Sequence, residues 1–325
     1  MSARRRQRIV SLLALALALA PSASGCEASD SGGAAPSQDH GSAVAEGPTV
    51  DLARRASDDE QARADLAADV RDRTQTARGT YGEGVPLRVE SGIFVVVQAE
   101  QGAAFDEAAD LAQRGLDVYL GSFFARRPDR AVTVYVVRSM TAFAALCDGR
   151  FTSGCERRLG AYSRKARDLI VNVGPGSSSI LHELVHPLVQ TDFPRAPSWF
   201  EEGIASLFEK PVFDPPGELH GARNWRNDRL DVALASTKQR GKVHLPALFA
   251  LDDDTIDGPD EDLDYAMART LCQWLDGRGE LWPFYRAWRE SVAEDATGGK
   301  SFARITGMTP ADADGVWLKW ALGAR

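Results

Sequence analysis

The segment ILHELVHPLV, residues 180–189, constrains this chain more than any other stretch. His182 and His186 stand four apart, and residues at that spacing lie one above the other on the same side of an α-helix. Most of the other positions are apolar: Ile180, Leu181, Leu184, Val185, Leu188 and Val189. A helix this apolar over most of its surface has to be enclosed by other elements. The fold must therefore clad it while keeping both imidazoles and the Glu183 carboxylate together. The chain has five His, and chance places an HExxH in such a chain in fewer than about 1 case in 50. The plain alternative is a pair of hydrogen-bonded core histidines. Pro187 follows the second His directly. It removes one helical hydrogen bond and predicts a kink, with His182, Glu183 and His186 on its N-terminal side.

Two imidazoles one helical turn apart can reach a single zinc ion. Glu183 is then placed to take a proton from a water at the metal's open position and to pass it to a leaving amine. Such a site needs a third protein ligand. The stretch PSWFEEGIASLFE, 197–209, predicts a second amphipathic helix over 199–210 with Ser198 as its N-cap. It offers two carboxylates, Glu201 and Glu202. The intervening TDFPRAP is a short turn-forming loop, so two antiparallel helices would bring a carboxylate to the histidines. A His, His, Glu set leaves one position for water, which is the catalytic arrangement. A closed structural site needs a fourth ligand.

At LHELVH, and at Trp199, Phe200, Glu201, Glu202 and Gly203, the chain resembles the gluzincin metallopeptidases and the bacterial peptidase-MA-like family. In that group an HExxH helix is followed by a helix bearing a Glu ligand in a Trp-x-x-Glu-Gly pattern. The resemblance is tight over 178–209 and loose over 90–325. It implies a zinc cofactor, with His182, His186 and Glu202 as metal ligands. It also implies Glu183 as general base and a peptide or protein as substrate. Such enzymes use a Tyr or His from the helical region to donate to the developing oxyanion. Tyr265, in DLDYAMARTL, matches that position, with His220 and His244 as alternatives. The outer ring nitrogens of the two ligands want acceptors, for which Asp192 and Glu201 are candidates. In the fold the resemblance implies, the strand before the motif helix, 168–173, forms the cleft edge and pairs with extended substrate. The interval between the two helices is shorter than in the large aminopeptidases of the group, so their substrate machinery is not carried over.

Around the two helices the pattern predicts an α+β fold. A zincin-like mixed sheet with the HExxH helix occupies 86–192, and a mostly helical C-terminal subdomain with the third ligand occupies 193–325. Apolar, β-branched runs mark strands at 93–98, 132–137, 160–163 and 168–173. Helical periodicity marks 105–124, 141–147 and 178–190, then 228–238, 264–275, 281–292, 300–306 and 311–322. GPGSSS, 174–179, reads as the turn that delivers the motif helix. Trp274, Trp282, Trp288, Trp317 and Trp320 crowd the C-terminal half and read as core.

The N-terminus carries a different message. Arg4, Arg5, Arg6 and Arg8 precede an apolar run over 9–20 and then PSASGC. Residues 1–26 therefore read as an export signal. Gly25 and Cys26 resemble the end of a bacterial lipoprotein signal, which implies a lipid anchor at Cys26 in a cell-envelope membrane. The alternative is a soluble periplasmic or secreted product. Residues 27–85 read as a flexible Gly/Ser/Ala/Pro tether followed by a polar helix over 50–78 with little to bury. Export makes a disulfide between Cys147 and Cys155 plausible, while Cys272 reads as a core residue. Net charge is -8, and no basic cluster follows the signal. Nucleic acid is thereby disfavoured as a partner. The competing functional reading is a non-catalytic surface lipoprotein, or partner-binding protein, on a peptidase-like scaffold.

Overall fold

Strands buried on one face alternate apolar and polar residues, whereas those buried on both faces do not. The sequence VTVYVV belongs to the second kind, and all of Val132–Val137 is buried. A computed structural model describes residues 48–148, 150, 155, 158–252 and 258–323, with side chains from residue 57 onward. The signal, Cys26 and residues 27–47 of the tether lie outside the described residues. Among the described residues, no helix is long and apolar enough to cross a membrane.

The chain is α+β with a mixed five-stranded sheet. Its strands are Leu87–Glu90 (β1), Phe94–Gln98 (β2), Val132–Val137 (β3), Gly160–Ser163 (β4) and Asp168–Asn172 (β5), in the spatial order β1-β2-β3-β5-β4. β2, β3 and β5 run parallel, and the two outer strands pair antiparallel. Side chains alternate between two cores. Phe94, Val96, Val132, Val134, Val136, Leu169 and Val171 face the larger. Val97, Tyr135, Val137 and Ile170 face the smaller, which Phe143 and the Cys147–Cys155 disulfide complete. Helices Phe105–Val118 (α2) and Ser179–Asp192 (α4) contribute to the larger core. Helix Met140–Cys147 (α3) contributes to the smaller.

Polar residues fasten the first helix, Pro48–Tyr81 (α1). Asp69 accepts the Ala131 N–H at 2.8 Å and pairs with Arg130 and Arg167. Arg73 donates to Thr133 Oγ1 at 2.6 Å, to the Ala166 carbonyl at 2.8 Å and to Asp168 at 3.0 Å. Its few apolar contacts include Ala77 in the smaller core and Leu66 against the larger.

After α4 the chain is mainly helical. Ser198–Leu207 (α5), Trp225–Ala235 (α6), Leu245–Leu248 (α7), Glu261–Asp276 (α8), Leu281–Ser291 (α9), Gly299–Thr306 (α10) and Pro310–Gly323 (α11) follow, with a small hairpin of Pro211–Val212 (β6) and His220–Gly221 (β7). α5 packs directly on α8. Gly203 eases the contact, because a Cβ there would crowd the Ala268 backbone and Cys272 Sγ at 3.0 Å. Trp288 anchors an aromatic cluster with Phe200 at 5.1 Å and Trp199 at 5.8 Å between ring centroids. Trp274, Trp288 and Trp317 are buried, and Trp282 and Trp320 pack half-buried against the same core.

Several sequence expectations need correction. The strand over 168–173 is not a sheet edge. β5 pairs with β3 on one side and β4 on the other, so the edge belongs to Gly160–Ser163. The short strand β1 was not expected from its pattern. The helix over 105–124 is regular only to Val118, and a π turn over Tyr119–Phe123 stacks Phe123 on Trp282 at 3.9 Å. Pro197, not Ser198, occupies the N-cap position of α5, and no side chain caps it.

Candidate metal centre

The motif helix begins just beyond β5, after a turn held by the Asn172 side chain, which accepts the Gly174 N–H at 2.9 Å. Ile180, Leu181, Leu184, Val185, Leu188 and Val189 are all fully buried. Leu181 packs so close to α2 that any Cβ at Gly115 would overlap it. The Tyr119 hydroxyl donates to the Leu181 carbonyl at 3.1 Å. α4 runs on through Pro187 to Asp192, so the lost hydrogen bond does not end the helix. These contacts clad most of α4. The remaining side presents His182, Glu183 and His186 to a cleft of about 1330 Å³, with Glu201, Glu202, Glu209 and Tyr265 in its wall.

The inner nitrogens of both imidazoles converge. His182 Nε2 lies 3.4 Å from Glu202 Oε2. The carboxylate oxygens of Glu183 lie 3.9 Å from the Nε2 atoms of His182 and His186. One donor atom each from His182, His186 and Glu202 fall within 4.8 Å of one another. The Glu202 Oε2 atom is buried and accepts no hydrogen bond, which is costly for a carboxylate oxygen unless a cation meets it. Ligands about 2.0–2.1 Å from a tetrahedral zinc stand about 3.3–3.4 Å apart, so the closest donor pair already has a suitable spacing.

The outer nitrogens face carboxylates. His186 Nδ1 bonds Glu201 Oε1 at 2.8 Å. His182 Nδ1 lies 3.4 Å from Glu209, near enough for charge attraction though not aligned as a hydrogen bond. Glu209 is in turn held by Arg226 Nη2 at 2.9 Å and the Asn224 side-chain amide at 2.8 Å. Of the two acceptors expected, only Glu201 serves. Asp192 is fully buried and is consumed by Arg289 at 2.6 Å and the Arg126 N–H at 2.9 Å. Glu209 was missed. It lies seven residues beyond Glu202, about two helical turns, and that spacing was its only signal.

Electrostatically the cluster calls for positive charge. Burial acts to lower the His182 pKa, yet Glu202, Glu209 and Glu183 outweigh it and raise it to about 10. His186 is raised likewise against burial, by Glu202 and Glu201. Burial opposes ionisation of Glu202, but His186 and His182 hold it down at about 2. Glu183 behaves differently. Burial raises its pKa and Glu202 adds to the effect, with the two histidines opposing. One carboxylate is thus held ionised beside the imidazoles, while its neighbour binds a proton more readily than a free Glu.

Space is reserved for that neighbour. At the start of β4, a Cβ on Gly160 would overlap the Glu183 carboxyl group. The other predicted residues divide. Tyr265 is buried in the cleft wall beneath the Arg226 guanidinium, 4.9 Å from its ring centroid. His220 bonds Asp276 at 3.0 Å and Glu218 at 3.2 Å in the small hairpin. His244 caps α7 by accepting the Ala247 N–H. Neither of these histidines lines the cleft.

The chain matches no family model and no curated protein.

Proposed function

We propose that this protein is a zinc-dependent peptidase of zincin-like architecture, with His182, His186 and Glu202 as metal ligands. The observation that carries the reading is the convergence of three donor atoms from His182, His186 and Glu202, with the Glu202 Oε2 buried and making no hydrogen bond, beside a second carboxylate, Glu183, that stands apart. A zinc ion held by this set would polarise a substrate carbonyl and make water more acidic. Glu183 then acts as general base. It takes a proton from the attacking water as the oxygen adds to the carbonyl carbon, and gives it to the departing nitrogen as the C–N bond breaks. Its raised pKa suits both halves of that exchange. Glu201 and Glu209 orient the imidazoles through their outer nitrogens.

The free side of β4 is the natural seat for an extended peptide, whose main chain would continue the sheet past Gly160–Ser163. Gly160 belongs both to that strand and to the wall against Glu183, so a peptide there runs beside the base. The Tyr265 hydroxyl would donate to the oxyanion that develops on the carbonyl oxygen. Action outside the cytoplasm, with a lipid anchor at Cys26, is part of the proposal. The Cys147–Cys155 disulfide supports an oxidising compartment. Labelling with a lipid precursor tests the anchor, and an unlabelled product with a free Cys26 thiol would refute it.

Hydrolysis is tested with a mixed peptide pool, read by mass spectrometry, using wild-type protein and Glu183→Gln. The expected outcome is cleavage that falls by about 10²–10⁴-fold in the variant. Zinc retained by both proteins with no cleavage by either would instead favour a binding protein on the same scaffold.

A further inference from the structure

Resting on the peptidase reading, we infer that Trp225 sets substrate preference, as the docking platform for one aromatic or large aliphatic side chain. It lines the same cleft as the histidines and is 55% exposed. Single exposed apolar side chains are ordinary on protein surfaces, but this one stands in the wall of the cleft that holds the histidines, and Trp is among the side chains most enriched at binding hot spots.

Trp225 is also held still. Its neighbour Asn224 caps α6 reciprocally with Asn227. The Arg226 guanidinium lies over the indole at 4.4 Å and over the Tyr265 ring at 4.9 Å. Arg226 is itself fixed by Glu209, the carboxylate that faces His182. A continuous set of contacts therefore runs from the His182 imidazole to the indole. The platform is built into the site, and it loses little conformational freedom when a ligand docks.

The chemistry of the occupant follows from the indole's surroundings. One cation already faces the ring, and a second positive group on the ring would meet its repulsion. An anion gains nothing either, because the face of an aromatic ring carries negative charge density, so the platform selects an uncharged side chain. Stacking of an aromatic ring or packing of a leucine fits both the geometry and the exposed area. Covering about half an indole corresponds to roughly 10- to 50-fold in affinity.

The test uses zinc-loaded Glu183→Gln protein, which should bind without turnover. Blocked Gly/Ser peptides carrying a single central Phe, Leu, Lys or Glu are titrated by calorimetry. The Phe and Leu peptides should bind at least about tenfold tighter than the Lys and Glu peptides. Adding Trp225→Ala should abolish that difference, whereas Trp225→Phe should keep most of it, which separates loss of the platform from misfolding. A preference unchanged by Trp225→Ala, tighter binding of the Lys peptide, or no binding of any of the four would overturn the inference. The two proposals fail separately. Trp225-dependent binding by a wild-type protein that cleaves nothing would sink hydrolysis alone. Cleavage indifferent to Trp225→Ala would sink the platform alone.

Discussion

Gly160→Ala is the smallest change that should silence the proposed chemistry while leaving the proposed metal ligands intact. The backbone at Gly160 is not among the positive-φ positions, so alanine is conformationally acceptable there. The new methyl, however, would fall on the carboxyl group of Glu183. Restoring van der Waals distance requires that carboxyl to move by about 1 Å, and a displacement of that size at a reacting group costs about 10²-fold in rate. The loss corresponds to about 2.7 kcal/mol in the activation barrier. The three atoms nearest the new methyl all belong to Glu183 rather than to His182, His186 or Glu202, so zinc content should stay at one per chain. Steady-state kinetics on a cleaved peptide, with metal analysis of the same preparation, measure both. kcat should fall about a hundredfold with KM nearly unchanged. Full activity in Gly160→Ala would refute the assignment of Glu183, and loss of zinc would refute the separation of base from ligands.

Further outcomes follow from other contacts. Glu209→Gln removes the charge facing His182 Nδ1 and should weaken zinc binding by about 10- to 100-fold in a chelator competition. Asp69 is held at about 2, because Arg167, the Ala131 N–H and Arg130 outweigh the effect of burial. A depressed carboxylate pKa stabilises the fold above its unfolded value of 3.8 and ceases to do so as pH falls toward 2. After allowance for solvent screening the contribution is about 1 kcal/mol. Thermal midpoints of wild type and Asp69→Asn should therefore differ at pH 6 and converge near pH 2, and a constant gap would contradict the linkage. Arg289→Ala leaves the fully buried Asp192 without its charge partner and should destabilise the chain by about 3–5 kcal/mol in urea denaturation.

The parts of the site legible in the sequence are those written in local periodicity. HELVH proclaims a helix with two histidines on one side, and its apolar flanks announce burial. WFEEG places a carboxylate on a following helix. The edge of the sheet was a different matter. Residues 160–163 and 168–173 are both short strand-like runs on either side of a charged turn. Which of them meets β3 depends on pairing across the fold, and nothing in either run decides it. The role of Gly160 follows from that order and stayed hidden with it. β1 was missed because LRVE is short and alternates apolar with charged residues, with only Glu90 buried. Glu209 lies where charged residues usually meet solvent, and it is held inward by Asn224 and Arg226 at the N-terminus of α6. α1 read as a helix with little to bury, and so it is. Its docking rests on Asp69 and Arg73, whose partners lie about sixty to a hundred residues away, beyond any local pattern.

One paired measurement bears most directly on the account: zinc content and peptide cleavage, determined together for wild type, Glu202→Gln and Glu183→Gln. The expected result is one zinc per chain with turnover in wild type. Glu202→Gln should lose both metal and activity, and Glu183→Gln should keep the metal without turnover. Wild-type protein that takes up no stoichiometric zinc, or turnover undiminished in Glu183→Gln, would contradict it.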